Sequence, residues 1–232
     1  IHISMFGPHP IIVFGTDDQK QKWIPRLVEG KDKVAFGVTE PNVGLDTTNI
    51  TTFAKKVDGG YLVNGRKIWN STAQVATRIM LLARTQKREE TERPSAGLSI
   101  FYTEFDRSKI EVKIIDKMGR KAVDSNMLFI DDLFIPDEDL IGEEGKGLGH
   151  LFHSMNPERI LVGAEGIGIG RDALRRASTY AVEREVFGRP IGQNQGIQHP
   201  LAENWMELEA AWLMVKHAAE LFDNEQPCGA EA

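Results

Sequence analysis

Cysteine is almost missing from this chain. Cys228 stands alone, so no disulfide can form within it, and a reducing compartment is the expected setting. Long apolar runs are missing too: none reaches the ~20 residues that a membrane helix needs. There is no basic excess, since the net charge is -6, so no nucleic-acid surface is indicated. The densest basic group, Lys113, Lys117, Arg120 and Lys121, reads as a solvated face. No G-x-S-x-G elbow occurs, which disfavours a hydrolase of that type. His150 and His153 lie three apart without a Glu-x-x-His or a second His pair, so no metal centre is expected. The opening IHISMFGPHPIIVFG has a short apolar stretch but no basic leader, and reads as interior sequence rather than a signal peptide. The chain starts without Met and stops at QPCGAEA, so both ends read as cut.

What is present changes character twice along the chain. Residues 16–28 read as a helix, with Thr16 and Gln19 forming a capping box and Trp23, Ile24 and Leu27 a single apolar stripe; Gly30 ends it. From about Val34 to Ile135 the period becomes two. Residues 34–38 form a short apolar run, and 78–84, 97–102, 110–115 and 127–131 supply further strands. Asp58-Gly59 and Asn64-Gly65 both signal tight turns between antiparallel strands. The charged stretch TQKREETERPSAG reads as a solvated loop. Many short strands without an intervening helix argue for a sandwich or barrel.

After Pro136 the pattern is helical again. Residues 151–155 suggest one short helix. Asn156 as N-cap with Pro157 at the first position then starts another, running to about Val186, where Gly188 and Pro190 stop it. A further helix spans roughly 195–222, with Leu201, Leu208, Trp212 and Val215 inward. The stretch ILVGAEGIGIGRDA contains Gly168-x-Gly170-x-x-Ala173, which fits a dinucleotide-loop pattern, and Glu185 lies near the acidic position such a loop expects. Gly163, Gly166, Gly170, Ala173 and Ala177 also recur at helical spacing, and one stripe of small residues where another helix approaches is the better account.

Four segments in order resemble the acyl-CoA dehydrogenase family. FGVTEPNVGLDT is similar to its T-E-P-x-x-G-S-D segment and GRKIWNST to its G-x-K-x-W-I-[ST] segment. DKMGRKAVDSNMLFIDDLFIPDEDLIGEEGKG resembles the K-M-G…L-[IL]-G-x-x-G-x-G stretch, and EREVFGRPIGQNQGIQHPLAE the R-x-x-F-G…Q-x-x-Q…L-A-[DE] stretch. The resemblance covers nearly the whole chain. It implies an α+β multidomain fold: the end of an N-terminal helical domain (residues 1–32), a middle antiparallel β-barrel or sandwich (33–137) and the start of a C-terminal helix bundle (138–232). Most of the N-terminal helical domain and the end of the C-terminal one would lie outside this chain.

The resemblance also implies FAD as cofactor and an acyl-CoA thioester as substrate. A Glu would take the α-proton while the β-hydrogen leaves as hydride to flavin N5, and electrons would pass on to electron-transfer flavoprotein. Phe36, Val38 and Thr39 would lie beside the isoalloxazine, Trp69 would pack on it, and the Ser71 hydroxyl would stand near N5. Without the family, Trp69 reads as a core tryptophan, and Thr39 and Ser71 as ordinary strand-end hydroxyls. Gly44 would let backbone approach the pyrophosphate; Leu45 replaces the family's common Ser there, losing one side-chain hydrogen bond. Asn70 replaces an apolar family residue. Arg184, Phe187 and Gln195 match positions that reach the FAD of a neighbouring subunit, which implies a homodimer or homotetramer; Arg suits a pyrophosphate through its paired donors.

For the catalytic base the family has two positions, one in a Y-E-G-type segment beyond this chain and one just before an Arg on the long helix. Here the latter pair is Glu158 and Arg159, and Arg159 matches a position contacting acyl-CoA. Read alone, Glu158 is a first-turn helix acid. A flavin oxidase or monooxygenase on the same scaffold and a non-catalytic binding subunit stay open as alternatives. Localisation follows the family, in a bacterial cytoplasm or a mitochondrial matrix.

Overall fold

The computed structural model describes residues 6–232, so the reading of the opening residues falls partly outside it. The chain forms two compact units, the first ending at Ser154 and the second running from Met155 to Ala232. No helix among the described residues is long and apolar enough to cross a membrane.

Early in the described part of the first unit lie two short helices, α1 (His9–Phe14) and α2 (Asp17–Val28). The capping box that starts α2 is complete: the Gln19 N–H donates to Thr16 Oγ1 at 3.2 Å and the Thr16 N–H to Gln19 Oε1 at 2.9 Å. Trp23 carries the stripe and is fully buried.

Eight strands follow in one sheet among the described residues: β1 (Val34–Gly37), β2 (Phe53–Val57), β3 (Gly60–Ser71), β4 (Arg78–Arg84), β5 (Leu98–Glu104), β6 (Ile110–Ile114), β7 (Ser125–Pro136) and β8 (Leu140–Ile141). Their order is β6-β7-β3-β2-β4-β5-β8, with β1 parallel to β4 and most other pairs antiparallel. The run RIMLLAR in β4 is apolar on both sides because both sides are covered. Ile79, Leu81 and Ala83 join a core with Phe101, Leu128 and Ile130, while Met80 and Leu82 join another with Ile11, Trp23, Leu148 and Leu151.

Asp58-Gly59 makes the tight turn expected of it, with Val57 paired to Gly60 across it. Asn64-Gly65 does not: both residues lie inside β3, where the register against β7 shifts between Val63 and Gly65. Asn64 stands opposite a bulge whose extra residue lies on β7, where Asp132 takes φ 48°. Asn64 exchanges hydrogen bonds of 2.9 Å with Asp132 on β7, and a side chain at 65 would collide with Thr52.

The long helix α3 (Gly147–Glu183) corrects the sequence reading at its start. It is one helix, with Pro157 inside it, so Asn156 is no N-cap and Glu158 no first-turn acid. Proline forfeits one rung of helix bonding, and the remaining turns carry the helix through. The Gly-rich stretch lies wholly within α3, which rules out the strand–turn–helix of a dinucleotide loop. Its small residues admit a neighbour: a Cβ on Gly163 would lie 3.0 Å from Val215 and one on Gly170 2.6 Å from Leu208, both on α4 (Gln195–Asp223). Between α3 and α4 stand two short strands, β9 (Glu185–Val186) and β10 (Arg189–Pro190).

Gly147 opens α3 against bare backbone. A Cβ there would sit 2.6 Å from the Ile100 nitrogen and 2.7 Å from Ser99 Cα, atoms that cannot rotate away. Gly147→Ala is expected to cost about 1–3 kcal/mol of stability. An unchanged urea midpoint would contradict that.

Candidate functional site

Two of the expected site clusters can be built from their local geometry. The first lies where β1 runs out beside β3. The Ile68 N–H donates to the Thr39 carbonyl at 2.9 Å, and the Lys67 ammonium donates to the Val38 carbonyl and to Glu40 Oε1, each at 3.0 Å. Glu40 also accepts from the Thr51 N–H (2.8 Å), the Thr51 hydroxyl (2.7 Å) and the Thr52 N–H (2.9 Å). Lys67 and Glu40 are both buried. Burial pushes the Lys67 ammonium down to about 8, with Glu40 opposing. Burial alone would raise the Glu40 carboxyl, but Lys67 and the Thr52 and Thr51 donors together hold it at about 2.

Because the folded-state value of Glu40 lies below its ordinary 4.5, its ionisation stabilises the fold above that pH and the contribution is lost as pH falls toward 2. Between those values the parent is expected to lose more stability than Glu40→Gln. Parallel pH dependences of the two urea midpoints would contradict this.

Past Lys67 the register of β3 against β7 shifts again, between Lys67 and Asn70. Trp69 sits in this bulge at φ 63° and Thr72 follows at φ 68°, a left-handed region that bulky residues rarely adopt. Trp69 is 59% exposed, which corrects the core-tryptophan reading. Strained residues persist where the surrounding structure enforces them, and they cluster at functional sites. Val38, Thr39 and Ser71 nearby are half-buried, and among the described residues neither the Thr39 nor the Ser71 hydroxyl has a hydrogen-bond partner. Phe36 is half-buried and packs edge-on against Phe6 at 5.1 Å. A tight turn closed by Glu40 and Val43 presents Gly44 and Leu45 to solvent, and a Cβ on Gly44 would touch nothing within 4 Å.

Asn70 is buried with both side-chain amide atoms unpaired. Its Oδ1 lies beside the space above Gly37, where a Cβ would also come within 3.1 Å of Ile79 and Leu81. An orphan amide in such a place costs about 1–3 kcal/mol. Asn70→Leu, close in shape, is expected to raise stability by about that amount. A lowered urea midpoint would refute the assignment.

The second cluster belongs to the second unit. Arg184 follows the last residue of α3; its N–H donates to the Tyr180 carbonyl and its carbonyl accepts from Ile191, both at 2.8 Å. Between them β9 and β10 pair through a two-residue turn, Phe187-Gly188, with φ of 54° and 74°. Two positive φ values are the mark of a type I′ hairpin, which favours Asn-Gly over Phe. Phe187 is 101% exposed at its tip. Gln195 begins α4 and is exposed.

Glu158 and Arg159 lie toward the other end of α3. Glu158 is half-buried, and the exposed Arg159 donates to Asn156 Oδ1 at 3.3 Å. The Asn156 amide also reaches the buried Cys228 sulfur at 3.5 Å, so it bridges two neighbours instead of capping a helix. With 1.5 Å of rise per residue, Arg159 and Arg184 are separated by about 38 Å along the helix. The structure does not bring them together.

The family model described as the acyl-CoA dehydrogenase middle domain matches residues 35–133, and that of the C-terminal domain matches residues 145–232. The chain is 35% identical over 223 residues to acyl-CoA dehydrogenase fadE12 of Mycobacterium bovis, covering 95% of this chain and 56% of that protein. Among solved structures, butyryl-CoA dehydrogenase from Megasphaera elsdenii superposes with a TM-score of 0.92 at 34% identity, over 99% of this chain and 59% of that one. A structure of PigA with FAD and proline superposes with a TM-score of 0.91 at 29% identity, over 99% and 59%. The chain belongs to the acyl-CoA dehydrogenase family and spans somewhat over half the length of these relatives.

Proposed function

We infer that the protein containing this chain is an FAD-dependent dehydrogenase of acyl-CoA thioesters. The observation that carries this is Trp69, held at φ 63° and 59% exposed beside the unpartnered hydroxyls of Thr39 and Ser71. A flavin needs an aromatic or apolar cover for its ring and a few hydrogen bonds at its edge, and this donor set fits one. Phe36 and Val38 add apolar surface, and the open face at Gly44 and Leu45 suits a phosphate chain approached by backbone. FAD, when bound, supplies the acceptor for the β-hydrogen.

The chain's own residues would do the rest. Thr39 and Ser71 orient the cofactor by hydrogen bonds, and Trp69 keeps water from one face. Glu158 takes the α-proton, which is weakly acidic and calls for a carboxylate kept out of water. Its half-buried place well inside α3 supports this. Arg159 binds the thioester substrate.

Arg184, Phe187 and Gln195 hold the cofactor of a neighbouring copy. The ~38 Å of helix between Arg159 and Arg184 supports this, as one chain cannot fold its own α3 back on itself. The working unit is thus at least a homodimer, and a homotetramer would serve equally. We further propose the division into residues 1–32, 33–137 and 138–232, electron-transfer flavoprotein as the acceptor, and a bacterial cytoplasm or mitochondrial matrix as the compartment.

Assaying the purified intact protein with acyl-CoA and an artificial electron acceptor tests this reading. Acceptor reduction without oxygen uptake is expected. Oxygen consumption would favour an oxidase or monooxygenase instead, and no turnover with any acyl-CoA would favour a non-catalytic subunit.

A further inference from the structure

The buried Glu40–Lys67 pair takes no part in the chemistry above, yet its hydrogen bonds fall on either side of Thr39. Lys67 spends one on the Val38 carbonyl and one on Glu40 Oε1. Glu40 in turn is gripped by Thr51 and Thr52. The next residue after Lys67, Ile68, holds the Thr39 carbonyl, and the one after that is Trp69. One pair therefore joins the segment bearing the Thr39 hydroxyl to the bulge bearing the Trp69 ring.

Two charges out of water seldom stabilise a fold better than apolar side chains of equal volume, so such a pair is better explained by the geometry it enforces. Methionine at 67 would fill the same space, but it has no donor for the Val38 carbonyl. The fork of bonds from a single ammonium is what fixes Val38 and Glu40 relative to β3.

We propose that Glu40 and Lys67 are positioning residues for the flavin, setting the Thr39 hydroxyl against the Trp69 ring so that edge and face of the cofactor are gripped in one geometry. This rests on the flavin site proposed above.

The test uses the intact protein as Glu40→Gln, Lys67→Met and the double variant Glu40→Gln/Lys67→Met, the last so that no lone charge is left buried. Folding is followed by circular dichroism. The readouts are the FAD dissociation constant of the apoprotein, the visible spectrum of the bound flavin and its midpoint potential. Folded variants are expected to bind FAD at least tenfold more weakly, with a shifted flavin spectrum. A tenfold difference between oxidised and reduced flavin would appear as about 30 mV in the two-electron potential.

Folded variants with parental affinity, spectrum and potential would overturn the proposal. So would failure of all three to fold, which would make the pair a requirement of the sheet alone. A parent protein that binds no FAD would defeat the flavin reading itself. If instead the parent binds FAD and Thr39→Val weakens it while the pair variants do not, only the positioning role fails.

Discussion

Glu158→Gln is expected to lower kcat by roughly 10²–10⁴, the usual contribution of a positioned general base. Gln keeps the size of Glu and loses the ability to take a proton. FAD content and acyl-CoA binding should stay near the parent's, because the change touches neither Thr39 nor Trp69. Its plainer reading, a first-turn helix acid, is removed by the structure. As part of an unbroken helix from Gly147 to Glu183, Glu158 sits well past the first turn, and it is half-buried. Full parental turnover in the Glu158→Gln protein would move the base to the family's other position, in sequence outside this chain.

The second large effect follows from the length of α3. Arg184→Ala should weaken FAD binding by about 2–5 kcal/mol, the range for truncating one partner of a hydrogen-bonded charge pair. The more telling experiment mixes two inactive proteins. One set of subunits carries Glu158→Gln and the other Arg184→Ala, and the mixture is dissociated and reassembled. If each cofactor is completed by the neighbour, a mixed pair has one site with neither residue and one with both, and activity returns. If Arg184 served its own subunit, every site would lack one residue and the mixture would stay inactive.

Much of this fold could be read before any coordinates. The capping box at Thr16, the strand at 78–84 and the small-residue stripe of α3 each follow from local chemistry with one physical solution. The misses share a different cause. Asn64-Gly65 suits a hairpin turn, yet the glycine is needed for another reason, since only a residue without a Cβ fits against Thr52 on the facing segment. Asn156-Pro157 makes a good helix start, but a helix already under way can absorb a proline at the loss of one bond.

The proposed site rests chiefly on resemblance to a family, since a threonine, a tryptophan and a serine at strand ends have no pattern of their own. Trp69 read alone as core, because its outward aim depends on a register shift that only the pairing with β7 reveals. The Glu40–Lys67 pair was missed although a signal existed. Tyr61, Val63 and Lys67 share the inward phase of β3, and a lysine in that phase needs a buried partner.

The most direct measurement is an anaerobic titration of the intact protein with acyl-CoAs of several chain lengths, following the flavin's visible absorbance. One length class should bleach the flavin close to stoichiometrically, which would establish the dehydrogenase half-reaction and name the substrate. A bound flavin that no acyl-CoA bleaches would contradict the proposed reaction, and a protein without flavin would undo the roles given to Thr39, Trp69 and Arg184.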